Sequence, residues 1–150
     1  MAILPKSGKP TASQVVNWAK WMAKNHKGVD IDGRYGFQCW DLPNYIFQRY
    51  WHFRTWGNAN AMANRSQYPN RSWKIYRNTS SFVPKPGDIA VWTYGWAGHT
   101  AIVVGPSDKS HFKCVECNWL IQYNHYKEVV IWSKNIIKKV LLGLKKVSIL

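Results

Sequence analysis

Cys39, His99 and the pair Glu116-x-Asn118 are the residues of this chain whose types and order could do chemistry together. A cysteine thiolate is a nucleophile, and a histidine can take and return a proton near neutral pH. A carboxylate or carboxamide can then fix the imidazole tautomer. In that order the set describes a thiol hydrolase. Acids are scarce, with seven Asp and Glu against twenty-one Lys and Arg. Four of the seven still fall in two candidate sites: Glu116 in this one, and Asp30, Asp32 and Asp41 just before and after Cys39. Those three aspartates stand at positions 1, 3 and 12 of an EF-hand-like spacing, which suits a hard cation such as Ca²⁺. As an EF-hand the match is poor. Arg34 stands at position 5, Tyr35 replaces the turn glycine, and Asp replaces Glu at position 12. On spacing alone the segment reads as a solvated acidic loop.

The elements that must position these groups follow from pattern. Thr11-x-x-Gln14 is a capping box, and Val15, Trp18, Ala19 and Met22 recur at helical spacing, predicting a helix over about 12–25. Residues 39–51 read as a second helix. Pro43 is tolerable only in its first turn, which keeps Cys39 at or near the helix N-terminus, where a thiolate is favoured. Residues 52–86 are turn-rich with little periodicity, and Ile89–Thr93, His99–Val104 and Phe112–Trp119 are β-like runs. Helices followed by strands predict an α+β domain. The last two runs suit a hairpin. If His99 lies across from Glu116 or Asn118, all three share a face; a one-residue slip would present Cys117 instead. The sequence leaves both registers open. Either the cysteine or the histidine alone would read as core or as background. Their order and element types together favour the site.

With 150 residues the chain is expected to be a single domain. A net charge of +14 favours polyanions without choosing among nucleic acid, anionic lipid and acidic wall polymer. Ten Trp and eight Tyr can build a core or line a groove; Trp56, Trp73, Trp92, Trp96 and Trp119 are the groove candidates. No stretch is long enough for a signal peptide or a membrane span, so the expected starting compartment is the cytoplasm. Three cysteines exclude a complete disulfide framework. Cys114-x-x-Cys117 lacks the second pair of a zinc site, and strand alternation would face the two thiols apart. No nucleic-acid motif accompanies the positive charge.

The stretch Gly28–Asp41 (GVDIDGRYGFQCWD) resembles the nucleophile segment of CHAP domains, the cysteine/histidine-dependent amidohydrolase/peptidase family. So do Pro86–Trp92 (PGDIAVW), Gly98–Val103 (GHTAIV) and Val115–Trp119 (VECNW). Arg54–Ala59 (RTWGNA) further resembles the CHAP domains of staphylococcal phage endolysins, and the likeness covers about residues 12–119. It implies a papain-like α+β fold that cleaves an amide of Gram-positive peptidoglycan, as endopeptidase or N-acetylmuramoyl-L-alanine amidase. It implies Cys39 as nucleophile, His99 as base, Glu116 as imidazole orienter and Asn118 as a supporting polar group. Gln38 and the Cys39 N–H would form the oxyanion hole. It also implies a calcium loop in which the carbonyls of Arg34 and Gly36 join Asp30, Asp32 and Asp41. Such a lysin would be a monomer, wait in the host cytoplasm for a holin, and meet teichoic acid as well as peptidoglycan.

Residues 129–150 depart from the family pattern. On a helical wheel Ile136, Ile137, Val140, Leu141, Leu144 and Val147 share a face, and Lys134, Lys138, Lys139, Lys145 and Lys146 fall mostly on another. A basic amphipathic tail of this kind suits a membrane surface. A terminal strand or helix packed on the core is the favoured reading. The competing function is a non-catalytic basic module for wall polymer or nucleic acid, against which an intact Cys39/His99 pair argues.

Overall fold

The computed structural model describes residues 3–77, 79, 81–93, 95–117, 126–132 and 139–144. Helix α1 spans Ala12–Lys24 and starts as its sequence predicts. The Gln14 N–H donates to Thr11 Oγ1 at 3.1 Å, and the Thr11 N–H donates to Gln14 Oε1 at 2.9 Å, so both halves of the capping box close. Helix α2 spans Asp41–Trp51, so Cys39 and Trp40 precede it rather than belong to it. Pro43 is its third residue, where no intrahelical N–H bond is lost.

Among the described residues, six strands form one antiparallel sheet in the order β1-β6-β2-β3-β4-β5. They are β1 (Trp73–Arg77), β2 (Ile89–Trp92), β3 (His99–Ser107), β4 (His111–Glu116), β5 (Lys127–Trp132) and β6 (Lys139–Leu144). The architecture is the expected α+β one, with the N-terminal helices packed on the sheet.

Strand alternation splits the interior in two. Ile89, Val91, Ile102, Val104, Val115 and Cys117 face the helices and join Val15, Ala19, Leu42, Ile46 and Phe47 in the main core. Ala90, Trp92, Ala101, Val103, Phe112 and Cys114 form a second cluster capped by Phe82. Cys114 and Cys117 therefore lie in different clusters as buried cysteines, which disposes of a shared zinc or redox site.

One stretch differs from the sequence reading: Trp73–Arg77 is a strand inside the segment read as turns. In the tail, Lys139–Leu144 is a strand between β1 and β2, which agrees with the favoured reading of a terminal strand or helix and not with an amphipathic helix. Short apolar runs do not separate helix from strand by periodicity, and Gly143 disfavours the helix. The remaining tail positions, Lys134, Ile136, Ile137, Lys138, Lys145, Lys146 and Val147, lie outside the described residues. Among the described residues no helix is long and apolar enough to cross a membrane.

Candidate active site

His99 opens β3 and Glu116 closes β4, so antiparallel pairing brings both to the same end of the sheet. The register sets Ile102 opposite Val115 and Val103 opposite Cys114. Continued, it sets Glu116 opposite Ala101, one diagonal step from His99 on the same face. This is the face-sharing register that catalysis needs, not the slipped one. His99 Nε2 lies 3.2 Å from Glu116 Oε2, with both residues buried. Gly98 makes the approach possible. Its φ is +67°, and a Cβ there would sit 2.4 Å from the Trp92 carbonyl oxygen and 2.6 Å from Asn60 Cβ.

His99 also shares a side-chain hydrogen bond with Cys39. Nε2 serves Glu116, which leaves Nδ1 for the thiol. Burial alone would push the imidazole pKa down. The hydrogen bonds to Cys39 and Glu116, and their negative charges, outweigh it and raise the pKa to about 9. His99 is therefore a cation at neutral pH, set between a thiol and a carboxylate. An imidazole so placed can exchange a proton with the thiol.

The nucleophile is delivered by the loop before α2. Asp41 Oδ1 accepts the Ile31 N–H at 3.1 Å, and Oδ2 accepts the Gln38 N–H at 2.9 Å, so one buried carboxylate ties both sides of the loop to the helix start. From below, the Cys117 thiol donates to the Phe37 carbonyl at 3.1 Å. The Tyr126 hydroxyl reaches the carbonyls of Gln38 (3.0 Å) and Val29 (3.4 Å). Burial, reinforced by Glu116, pushes the Cys117 thiol up to about 12, so it donates and does not attack. Cys39, half-buried and open to the cleft, is the thiol that can attack. Asn44 fixes the next contact. Its Nδ2 donates to the Trp40 carbonyl at 2.9 Å, and its Oδ1 accepts the Thr55 N–H at 2.7 Å, joining the nucleophile loop to the opposite wall.

Cys39, His99, Asp41 and Thr55 line one cleft of about 830 Å³ that also contains Gln38, Arg34, Arg54 and Trp56. Gln38 Nε2 donates to the Tyr35 carbonyl at 2.7 Å, which leaves its second proton for another acceptor. Among the groove candidates, Trp56 lines the cleft and Trp96 is exposed, whereas Trp73 and Trp92 are core. Asn118 and Trp119 lie outside the described residues.

The acid loop converges as its spacing suggests. Carboxylate oxygens of Asp30, Asp32 and Asp41 lie within 4.8 Å of one another. Asp41 is pushed up to about 6, first by burial and further by the charges of Asp32 and Asp30, against the pull of its two backbone hydrogen bonds. Three hard oxygens crowded at mutual electrostatic cost match the donor set a divalent cation takes. Arg34 and Gly36 lie in the same loop. The Arg34 N–H donates to Asp32 Oδ1 at 2.9 Å, and Gly36 takes a φ of +70°.

Asn44, Cys117 and Tyr126 were not among the sequence candidates. Each acts through backbone atoms, which for Cys117 and Tyr126 lie 80 or more residues away, and no local pattern announces that. A buried polar residue in an apolar stretch, as Asn44 is, was the one available signal.

Comparison with known proteins agrees with this geometry. The model of the CHAP domain family matches residues 28–118. Endolysin PlyTW of Staphylococcus phage Twort is 38% identical over 117 residues, covering 73% of this chain and 24% of that protein. Endolysin LysK of Staphylococcus phage K is 40% identical over 100 residues, covering 61% of this chain and 19% of that protein. The chain thus spans about a quarter or less of the length of these two relatives. The crystal structure of the wild-type endolysin LysIME-EF1 superposes with a TM-score of 0.69 at 25% identity, covering 87% of this chain and 63% of that one.

Proposed function

This chain belongs to the CHAP domain family, and from that premise we propose that it is a cysteine peptidoglycan hydrolase of the endolysin kind. The observation that carries the reading is the His99 side chain, hydrogen-bonded to Cys39 and held 3.2 Å from the buried carboxylate of Glu116, in an open cleft. Cys39 Sγ attacks the carbonyl carbon of a wall amide. The oxyanion is met by donors such as Gln38 Nε2 and the Cys39 N–H. His99 passes its proton to the leaving amine as the C–N bond breaks, which leaves a thioester on Cys39. Water then gives a proton to His99 and attacks the thioester, releasing the carboxylate product and restoring the thiol. Glu116 keeps the imidazole turned toward the thiol throughout.

Asp30, Asp32 and Asp41 would hold a Ca²⁺ ion, with the carbonyls of Arg34 and Gly36 as further ligands. Bound there, the ion would neutralise the crowded carboxylates and stiffen the loop that ends in Cys39. In this reading the protein acts as a monomer on Gram-positive walls, where its positive charge also suits teichoic acid. It would wait in the host cytoplasm until a holin releases it.

The test is clearing of purified Gram-positive walls by wild type and Cys39→Ala, each with calcium and with a chelator. Clearing by wild type is expected, with a loss of about 10³-fold or more in the mutant. Equal clearing by both proteins would sink the catalytic reading and favour a non-catalytic basic module.

A further inference from the structure

Trp56 lines the same cleft as the acid loop and is 62% exposed, so burial of the ring has not placed it. Its backbone is nevertheless held from two sides. The Trp56 N–H donates to Gln67 Oε1 at 2.8 Å, and Gln67 Nε2 donates to the Trp56 carbonyl at 2.7 Å. The residue before it is pinned in the same way. Asn44 Oδ1 accepts the Thr55 N–H at 2.7 Å, and Asn44 Nδ2 donates to Thr55 Oγ1 at 2.9 Å. Gln67 and Asn44 are both buried. A buried carboxamide needs satisfied partners; those of Gln67 are both peptide groups of the residue carrying the exposed indole, and those of Asn44 include the residue before it. A flat apolar ring on a fixed backbone loses little freedom when something settles on it.

We propose that Trp56 is the substrate platform of the cleft, and that its indole face seats the peptide flanking the scissile amide. This deepens the hydrolase reading and rests on it. The occupant follows from position. Trp56 shares the cleft with Cys39 and His99, so whatever lies on it is within a few residues of the bond being cut. Planar peptide units match a flat aromatic face. Arg54, exposed in the same cleft, supplies charge for a wall-peptide carboxylate. Trp56 is then a specificity-determining residue that takes no part in proton transfer.

The test compares Trp56→Ala and Trp56→Phe in the full chain. Trp56→Ala is expected to raise the wall concentration for half-maximal clearing about tenfold, while the maximal rate stays within about threefold. Trp56→Phe should recover most of the loss. The rate of Cys39 alkylation by iodoacetamide, which needs no platform, should not change. Sugar-free wall peptides should compete with wild type, and peptide-free glycan strands should not. Sedimentation with walls in a Cys39→Ala background reads binding without turnover, and removing Trp56 there should weaken it. An unchanged half-saturation, unchanged sedimentation, a joint fall of maximal rate and alkylation, or competition by glycan alone would each overturn the proposal. Failure of the hydrolase reading is distinguishable, because it shows as equal clearing by wild type and Cys39→Ala.

Discussion

The two walls that meet at the thiol are built on opposite principles. On the sheet side His99 and Glu116 sit in regular strands, both buried, with opposite charges held at 3.2 Å. On the loop side like charges crowd within 4.8 Å, and the chain turns through left-handed backbone at Gly33, Tyr35 and Gly36. Tyr35, with φ at +63°, is a bulky residue in a region that costs it about 1–2 kcal/mol. Packing positions the base, and folding alone suffices for that. Cys39 is presented by a loop whose own charges oppose its shape.

Removing the sheet-side charge should have the largest effect. Glu116→Gln keeps the shape but takes away the carboxylate, and wall hydrolysis is expected to fall about 10²–10⁴-fold. The pH profile sharpens the point. His99 must be protonated to serve the leaving amine, and its pKa is raised to about 9, so wild-type activity falls as pH climbs through about 9. Without the carboxylate the imidazole loses its proton sooner, so the alkaline limb moves to lower pH. Stability follows the same sign. A folded pKa above the ordinary 6.5 gives a contribution fully present below 6.5 and lost as pH rises through about 9. A profile that does not move would mean Glu116 acts by shape alone.

The loop side should respond less to mutation than to ions. Asp41→Asn is expected to lower clearing about tenfold in calcium and to abolish the difference between calcium and chelator. Melting separates the two functions of this carboxylate. With calcium at a hundredfold excess over its Kd, wild type should gain about 2.7 kcal/mol and Asp41→Asn much less. In chelator the order narrows or reverses, because the substitution relieves a group that burial and the neighbouring Asp32 and Asp30 hold up near about 6. Equal calcium shifts in both proteins would remove the ion from this loop.

What was legible in the sequence divides along the same line. The capping box of α1, the β character of β2, β3 and β4, and the order of Cys39, His99 and Glu116 are local or periodic signals, and the structure realises each of them, whereas the register of β3 on β4 stayed open until the fold supplied it. Strand β1 was not legible, and β6 was legible only as a terminal strand or helix. Five or six residues of mixed or continuous apolar character acquire their state from neighbouring strands, and β6 finds those neighbours more than forty residues back in the chain. The clamps were hidden for a related reason. Tyr126 holds the carbonyl of a residue 97 positions away, and a backbone acceptor carries no residue type to read. Gln38 was legible as a cleft residue, yet its bond to the Tyr35 carbonyl shows that it also braces the acid loop.

The smallest effect tests the seam between the walls. Tyr126 is buried, and burial holds its hydroxyl protonated well above the ordinary range, so it stays a donor at every working pH. It bridges the carbonyls of Val29 and Gln38, which stand immediately before Asp30 and Cys39. One hydroxyl therefore closes the neck of the loop. Tyr126→Phe keeps the ring and removes the bridge, and should cost about 1 kcal/mol of stability. A frayed neck pre-organises the carboxylates less well, so calcium affinity should fall a few-fold, about what 1 kcal/mol allows. The alkaline limb should stay where it is, because His99 and Glu116 are untouched. A limb that moves with Tyr126→Phe would show that the loop also sets the imidazole, and the two walls would have to be treated as one.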